Sequence, residues 1–272
     1  MTQALEIRGE AGEPIPHGIK SLSKLGIEFR RSEYSIVAAG PGTGKSLLAA
    51  MLATKTNVPA LYFSADSSAA TQMARATAMI TGDDVKQVKE ALLGGDFSEY
   101  AKILGARWWT RWNYDARPKP SDLERDLLCY YEVYNVMPHL VVVDNITNVD
   151  TGAVGDAESY TFGLEGLNEY LSEMARVTKA HVLGLHHVNG PHADGLTPIP
   201  LSGVKGQISR VPNLILTIHV EVDEMGSRVL HVSPVKNRED MADPSGNTFA
   251  SLRLNRRNLR LEEIDDGLPV YV

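Results

Sequence analysis

Ala39-Gly40-Pro41-Gly42-Thr43-Gly44-Lys45-Ser46 follows the apolar run Tyr34 to Ala38 and precedes a helical pattern from Leu47 to Thr54. A glycine-rich loop between a buried strand and a helix turns successive backbone N–H groups inward at the positive end of the helix dipole. That arrangement cradles phosphate. Lys45 adds a point charge for the outer phosphates, and the Ser46 hydroxyl can ligate Mg²⁺. Ala39 stands where the pattern usually has its first glycine. The stretch reads as the binding loop for a nucleoside triphosphate. No Asn-Lys-x-Asp guanine reader occurs in the chain, which sets a GTPase aside and leaves ATP with Mg²⁺.

Outward from the loop, strand-like and helix-like patterns alternate to about residue 188, the signal of βαβ units and a mainly parallel sheet with helices on both faces. Strands are expected at Tyr34 to Ala39, Ala60 to Ala65, Ala106 to Trp112, His139 to Asp144 and His181 to Val188. Ser121-Asp122-Leu123-Glu124 has the form of a capping box opening a helix to about Asn135, and Tyr160 to Thr178 carries helical apolar spacing. Beyond Asn213 the pattern changes. Leu214 to Val220, Arg228 to Val235, Thr248 to Leu254 and Asn258 to Glu262 read as antiparallel strands extending the sheet. Gly9, Gly12, Pro14, Pro16 and Gly18 make residues 1–30 an N-terminal arm ahead of one α/β domain, 31–272.

At 272 residues, 43% hydrophobic and 22% charged, the chain is large enough for one domain with a substantial core and is ordinary for a soluble globule. No apolar run has the length of a membrane span and no signal segment is visible, so a cytoplasmic location is expected, that of the host for a phage chain. The single cysteine, Cys129, lies in a helical apolar pattern and is expected in the core. A net charge of −7 argues against a globally basic nucleic-acid binder. Any site for a polyanion is a local patch, such as the inner surface of an assembly.

His139-Leu140-Val141-Val142-Val143-Asp144 ends a buried strand on a carboxylate, where a parallel sheet presents ligands. Asp144 is placed to hold Mg²⁺ through water. Asn145 follows instead of a glutamate, so the base that orients the attacking water comes from another strand. Asp66, after Leu61-Tyr62-Phe63-Ser64-Ala65, is the candidate, and it also suits a cap for a helix from Ala69.

With these residues assigned, the chain resembles the RecA-fold motor domain of DnaB-like hexameric replicative helicases, in the phage and plasmid form without an N-terminal domain. The resemblance runs from about Ile15 to Leu261. It implies a RecA-like P-loop ATPase that couples ATP hydrolysis to translocation on single-stranded or forked DNA, as a homo-oligomer in a hexameric ring or a filament. Ser64-Ala65-Asp66-Ser67 falls where the family carries its catalytic glutamate, and the shorter aspartate predicts slow turnover. Val182-Leu183-Gly184-Leu185-His186-His187 matches the strand that ends on the family's polar sensor, here His187. The loops 148–159 and 189–207 are implied to face the DNA channel, with Lys205 the best match to the DNA-contacting position, flanked by Gly203 and Gly206. Lys236-Asn237-Arg238 resembles the pair that reaches a neighbouring subunit's nucleotide.

Three rivals share these residues. A RecA-like recombination ATPase has the same fold, and a regulatory ATPase binds protein instead of DNA. A metal-dependent nuclease becomes possible if Asp144, Asp66, His186 and His187 converge. Trp108, Trp109, Arg111, Trp112 and Tyr114 suit either stacking on bases or a sheet strand with one face in the core, and the strand is preferred. Arg253, Arg256, Arg257 and Arg260 read as a solvated hairpin face.

Overall fold

Tyr34–Ala39 (β1) is buried at every position, as a strand flanked on both edges and covered on both faces must be. In the computed structural model, which describes residues 12–65, 67–152, 157–204, 206–222 and 226–264 (157–162, 206 and 207 by backbone alone), β1 sits mid-sheet. The other strands are Ala60–Ser64 (β2), Thr110–Asn113 (β3), Leu140–Asp144 (β4), His181–His187 (β5), Leu214–Val222 (β6), Arg228–Asn237 (β7), Ala250–Leu254 (β8) and Leu261–Glu263 (β9). Their order is β3-β2-β4-β5-β1-β6-β7-β8-β9. Strands β3 to β6 in that order pair in parallel, and β7, β8 and β9 continue the sheet antiparallel.

The helices are Lys20–Lys24 (α1), Lys45–Lys55 (α2), Ala69–Thr81 (α3), Val85–Gly94 (α4), Ser98–Gly105 (α5), Pro120–Tyr134 (α6) and Ala157–Thr178 (α7). The chain leaves β1 through α2 toward β2 and β3, then returns through α6 and α7 toward β4 and β5. Right-handed crossovers in opposite directions put the two sets of helices on opposite faces. Such a reversal opens a crevice at the carboxyl ends of the strands, here at β4, β5 and β1. Among the described residues no helix is long and apolar enough to cross a membrane.

Of the N-terminal arm, residues 12–30 lie against the sheet. Ile15, Ile19, Leu22, Leu25, Ile27 and Phe29 are buried in the same core as β1. His181, at the start of β5, fastens this segment: its Nδ1–H donates to Arg30 O at 2.8 Å and its ring packs edge-on against Phe29, centroids 5.4 Å apart.

Three local expectations are corrected. The third strand begins at Thr110, because residues 107–109 close the end of α5, with Arg107 N donating to Leu104 O and Thr110 N to Arg107 O. Helix α6 begins at Pro120; Lys119 is its N-cap residue and donates its N–H to Asp122 Oδ2 at 2.9 Å, so Ser121 is already helical. Cys129 is exposed, since the inward stripe of α6 is Leu123, Leu127 and Tyr130. Of the late arginines, Arg253, Arg256 and Arg257 are exposed, as the expected solvated face requires, and Arg260 is half-buried. Arg260 donates to Met79 O and Ile80 O at 2.8 and 3.0 Å, satisfying the last carbonyls of α3, Arg256 bonds Gly226 O, and Arg257 lies 3.4 Å from Asp84. The aromatic segment serves the sheet: Trp112 stacks on Tyr62 of β2, 4.2 Å between centroids.

Burial pushes the His181 imidazole down to about 4, opposed only in part by its bond to Arg30 O. The folded chain thus holds this ring neutral. Its contribution to stability is complete above the unfolded value near 6.5 and is lost as pH falls from there toward 4, by up to about 3 kcal/mol. Denaturant titrations at pH 7.5 and pH 5 should show this acid loss, and His181→Asn should remove part of it, leaving the share of His219, whose imidazole burial also brings down to about 4.

Candidate nucleotide site

The loop after β1 is held open by glycine and closed by lysine. Gly42 and Gly44 take φ of 72° and 108°, and Gly44 is the residue from which α2 starts. Thr43 is buried and donates from Oγ1 to Gly40 O at 2.8 Å. Lys45, 4% exposed, donates from Nζ to Ala39 O at 3.0 Å, to Gly40 O at 2.9 Å and to His187 Nδ1 at 3.1 Å. Ser46, the next residue, is half-buried in the first turn of α2.

Because an ammonium can only donate, Nδ1 of His187 is the ring's unprotonated nitrogen and Nε2 carries the proton. Nε2 lies 3.0 Å from Nδ2 of the buried Asn145; with that amide turned over, its oxygen accepts the proton. The imidazole therefore bridges the phosphate loop to the end of β4. Strand order explains this: β5 lies between β4 and β1, so its last residue falls between the ends of its neighbours.

Asp144 ends β4 in register with Ser64 of β2. It is 1% exposed, and its Oδ2 accepts the Tyr62 hydroxyl at 2.7 Å. Tyr62 is fixed in turn by the stack with Trp112. Sequence reasoning passed over Tyr62, which carried no motif. Asp66 lies outside the described residues. His186 is buried on β5 beside His187, and among the described residues no group of three His, Cys, Asp or Glu side chains converges as a metal site.

The segment after β5 presses on the phosphate loop. A Cβ on Gly40 would collide with Ala193 O, and one on Gly195 with Thr43 Cγ2. Gly195 sits at φ 67° and its carbonyl accepts Val220 N at 2.7 Å, while Ile199 O accepts Thr217 Oγ1 at 2.9 Å. The start of the 189–207 loop is thus anchored to both the nucleotide loop and β6. Gly203 closes a short 3-10 turn, Leu201–Gly203, against His192 and Ile199; Gly206 opens another, Gly206–Ser209. Lys205 lies outside the described residues. Of the 148–159 loop, Asp150 N bonds Pro118 O and α7 has begun by Ala157; Asp156 lies outside the described residues.

Lys236 and Arg238 lie at the opposite end of the sheet. Lys236 pairs with Ile215 and Asn237 with Leu214, which itself pairs with Ser35 at the start of β1. From Ser35 to Ala39 the strand spans about 13 Å. Lys236 Nζ donates to Ser209 O and Arg210 O at 2.7 and 3.0 Å, and Arg238 Nη2 to Arg210 O at 2.8 Å. Burial, with the Arg238 charge beside it, brings the Lys236 amine down to about 8. Burial and Glu239 push the Glu33 carboxyl up to about 7 against Arg30 and Arg238.

Comparison with known proteins agrees with this architecture. An AAA domain family matches residues 13–192. The chain is 46% identical over 250 residues to the Gene 65 protein of Mycobacterium phage L5, covering 92% of this chain and 93% of that protein. It is 44% identical over 230 residues to the Gene 65 protein of Mycobacterium phage D29, covering 85% and 99%. Among solved structures, the ATPase domain of G40P superposes with a TM-score of 0.76 at 15% identity over 97% of this chain and 96% of that one. A DnaB-like replicative helicase, solved in a study of its interactions with primase, superposes with a TM-score of 0.74 at 14% identity, over 92% of this chain and 62% of that one. The fold is that of these helicase ATPase domains.

The packing of Gly195 on Thr43 is testable by a double-mutant cycle. Gly195→Ala should destabilise the chain by about 1–3 kcal/mol through collision and its positive φ. Thr43→Ser removes the colliding methyl but keeps the hydroxyl. Combined with Gly195→Ala in denaturant titrations, it should recover the steric share of the loss.

Proposed function

Given that this chain belongs to the AAA domain family and has the fold of DnaB-like helicase ATPase domains, we propose that it is an ATP-dependent motor on single-stranded or forked DNA, acting as a helicase in DNA replication. The observation that carries the reading is the meeting of three strand ends: the loop of β1 with Lys45, His187 of β5, and Asp144-Asn145 of β4.

The residues fit Mg-ATP. The glycine backbone of Ala39 to Gly44 would cradle phosphate, Lys45 would neutralise the outer phosphates, and the Ser46 hydroxyl, with the buried Asp144 carboxylate acting through water, would hold the metal. Mg²⁺, when bound, supplies charge neutralisation at the β and γ oxygens. Phosphate is a stronger partner for an ammonium than a neutral imidazole, so a bound triphosphate draws Lys45 from His187. His187 then reports the nucleotide to the segment that follows it, through Val188 and the 190–195 turn packed on Gly40 and Thr43. Asp66 is assigned as the base for the attacking water. The 148–159 and 189–207 loops, with Gly203, Lys205 and Gly206, are assigned to the DNA.

Lys236 and Arg238 are assigned to the neighbouring subunit's nucleotide. Their place at the far end of the sheet from Lys45 supports this, since one chain cannot bring both to its own phosphates. Hydrolysis then requires a homo-oligomer, a hexameric ring in this reading.

Steady-state ATP hydrolysis measured against single-stranded DNA concentration tests the motor. Stimulation that weakens from low to moderate salt is expected; a flat response would refute coupling to DNA. Lys45→Ala should abolish ATP binding in calorimetry. Arg238→Ala alone should lose about 10³-fold in hydrolysis, and mixing it with Lys45→Ala protein should restore part of it, because each supplies what the other lacks.

A further inference from the structure

Strand β7 starts against the phosphate loop. Leu230 packs so closely on Gly44 that a Cβ there would lie 2.5 Å from its Cδ2, so side-chain contact fixes where β7 sits relative to the loop. Two residues earlier, and therefore on the same face of the strand, is Arg228. It donates from Nη2 to Gly42 O at 3.2 Å. Pro41 and Gly42 are exposed and Arg228 is half-buried, so the guanidinium stands at the mouth of the loop, between protein and solvent.

A carbonyl on the loop occupies one of five guanidinium N–H groups. The others remain with a permanent charge and a planar fork matched to phosphate oxygens. The other cations assigned to the triphosphate leave this side uncovered: Lys45 lies inside the loop, and Lys236 and Arg238 stand at the far end of the sheet. Arg228 belongs to the same chain as the loop it touches.

We propose that Arg228 binds the phosphate chain of the nucleotide held by its own subunit, closing the loop from its outer side and setting nucleotide affinity. This rests on the reading of residues 39–46 as an ATP site. It differs from the role given to Arg238 in acting within one chain.

Calorimetric titration of the full chain with MgATP and MgADP, for wild type, Arg228→Ala, Arg228→Lys and Lys45→Ala, tests it, with a thermal melt of each variant. Arg228→Ala should bind ATP about tenfold more weakly, the loss of one charge-assisted contact. Arg228→Lys should recover only part. A loss shared by ADP assigns the contact to the inner phosphates, and one confined to ATP assigns it to the outermost; either supports the proposal. Mixing Arg228→Ala with Lys45→Ala protein should give no rescue of hydrolysis. ATP affinity unchanged in Arg228→Ala, with or without a lower melting temperature, overturns the proposal and leaves Arg228 a clamp on the loop. Wild-type protein that fails to bind ATP, or Lys45→Ala that binds it normally, would overturn the ATP-site reading itself.

Discussion

A lysine ammonium taken almost wholly out of water is tolerable only where fixed acceptors surround it. For Lys45 these are Ala39 O at the end of β1, Gly40 O in the loop, and His187 Nδ1 at the end of β5. Each comes from a different piece of the fold, so burying one charge fixes a strand end, a loop and a neighbouring strand together. The apolar strands supply the rigidity this needs: β1, β2 and β4 are buried along their whole length and bring their carboxyl ends to one edge. Asp144 extends the same logic to β4. Its carboxylate is buried against a tyrosine hydroxyl that is itself held by an indole, so the group assigned to the metal is oriented by packing.

The antiparallel half of the sheet contributes more than width. Residues beyond 192 lie outside the span matched by the family, yet they complete the structure around the loop. Leu230 fills the space left by Gly44, Val220 and Thr217 hold the segment after β5, and Arg260 caps the last turn of α3. These strands bind the nucleotide side of the molecule to the opposite end of the sheet, where Lys236 and Arg238 lie.

What could be read from sequence was what is local. Strand β1 was legible to the residue, because a largely apolar run stops at a glycine loop; β4 and β5 were legible to within a residue as apolar runs that stop at Asp144 and at His186-His187. The third strand was placed too early, since Ala106 to Trp109 have strand-like composition but close a helix. Cys129 was misread because an apolar pattern does not say which stripe faces inward. Asp144, Lys45 and His187 could be named from motif and position, but the bridge between Lys45 and Asn145 through His187 follows from strand order. Arg228 and Gly195 carried no signal at all. Their partners, Gly42 and Thr43, are more than 150 residues away; β7 carries Arg228 to the loop, and the pairing of β5 with β1 and the bond of Val220 to Gly195 O place the turn.

The two glycine contacts between the phosphate loop and the 190–195 turn set the character of any communication between them. Neither Gly40 against Ala193 O nor Gly195 against the Thr43 methyl leaves room for a further methyl group, so turn and loop are closely packed. Repulsion at such range rises far more steeply than any attraction. This linkage is mechanical, with no ion pair to screen and no proton to lose. These contacts act by shape, whereas the step at His187 that feeds them acts by charge and hydrogen bonding.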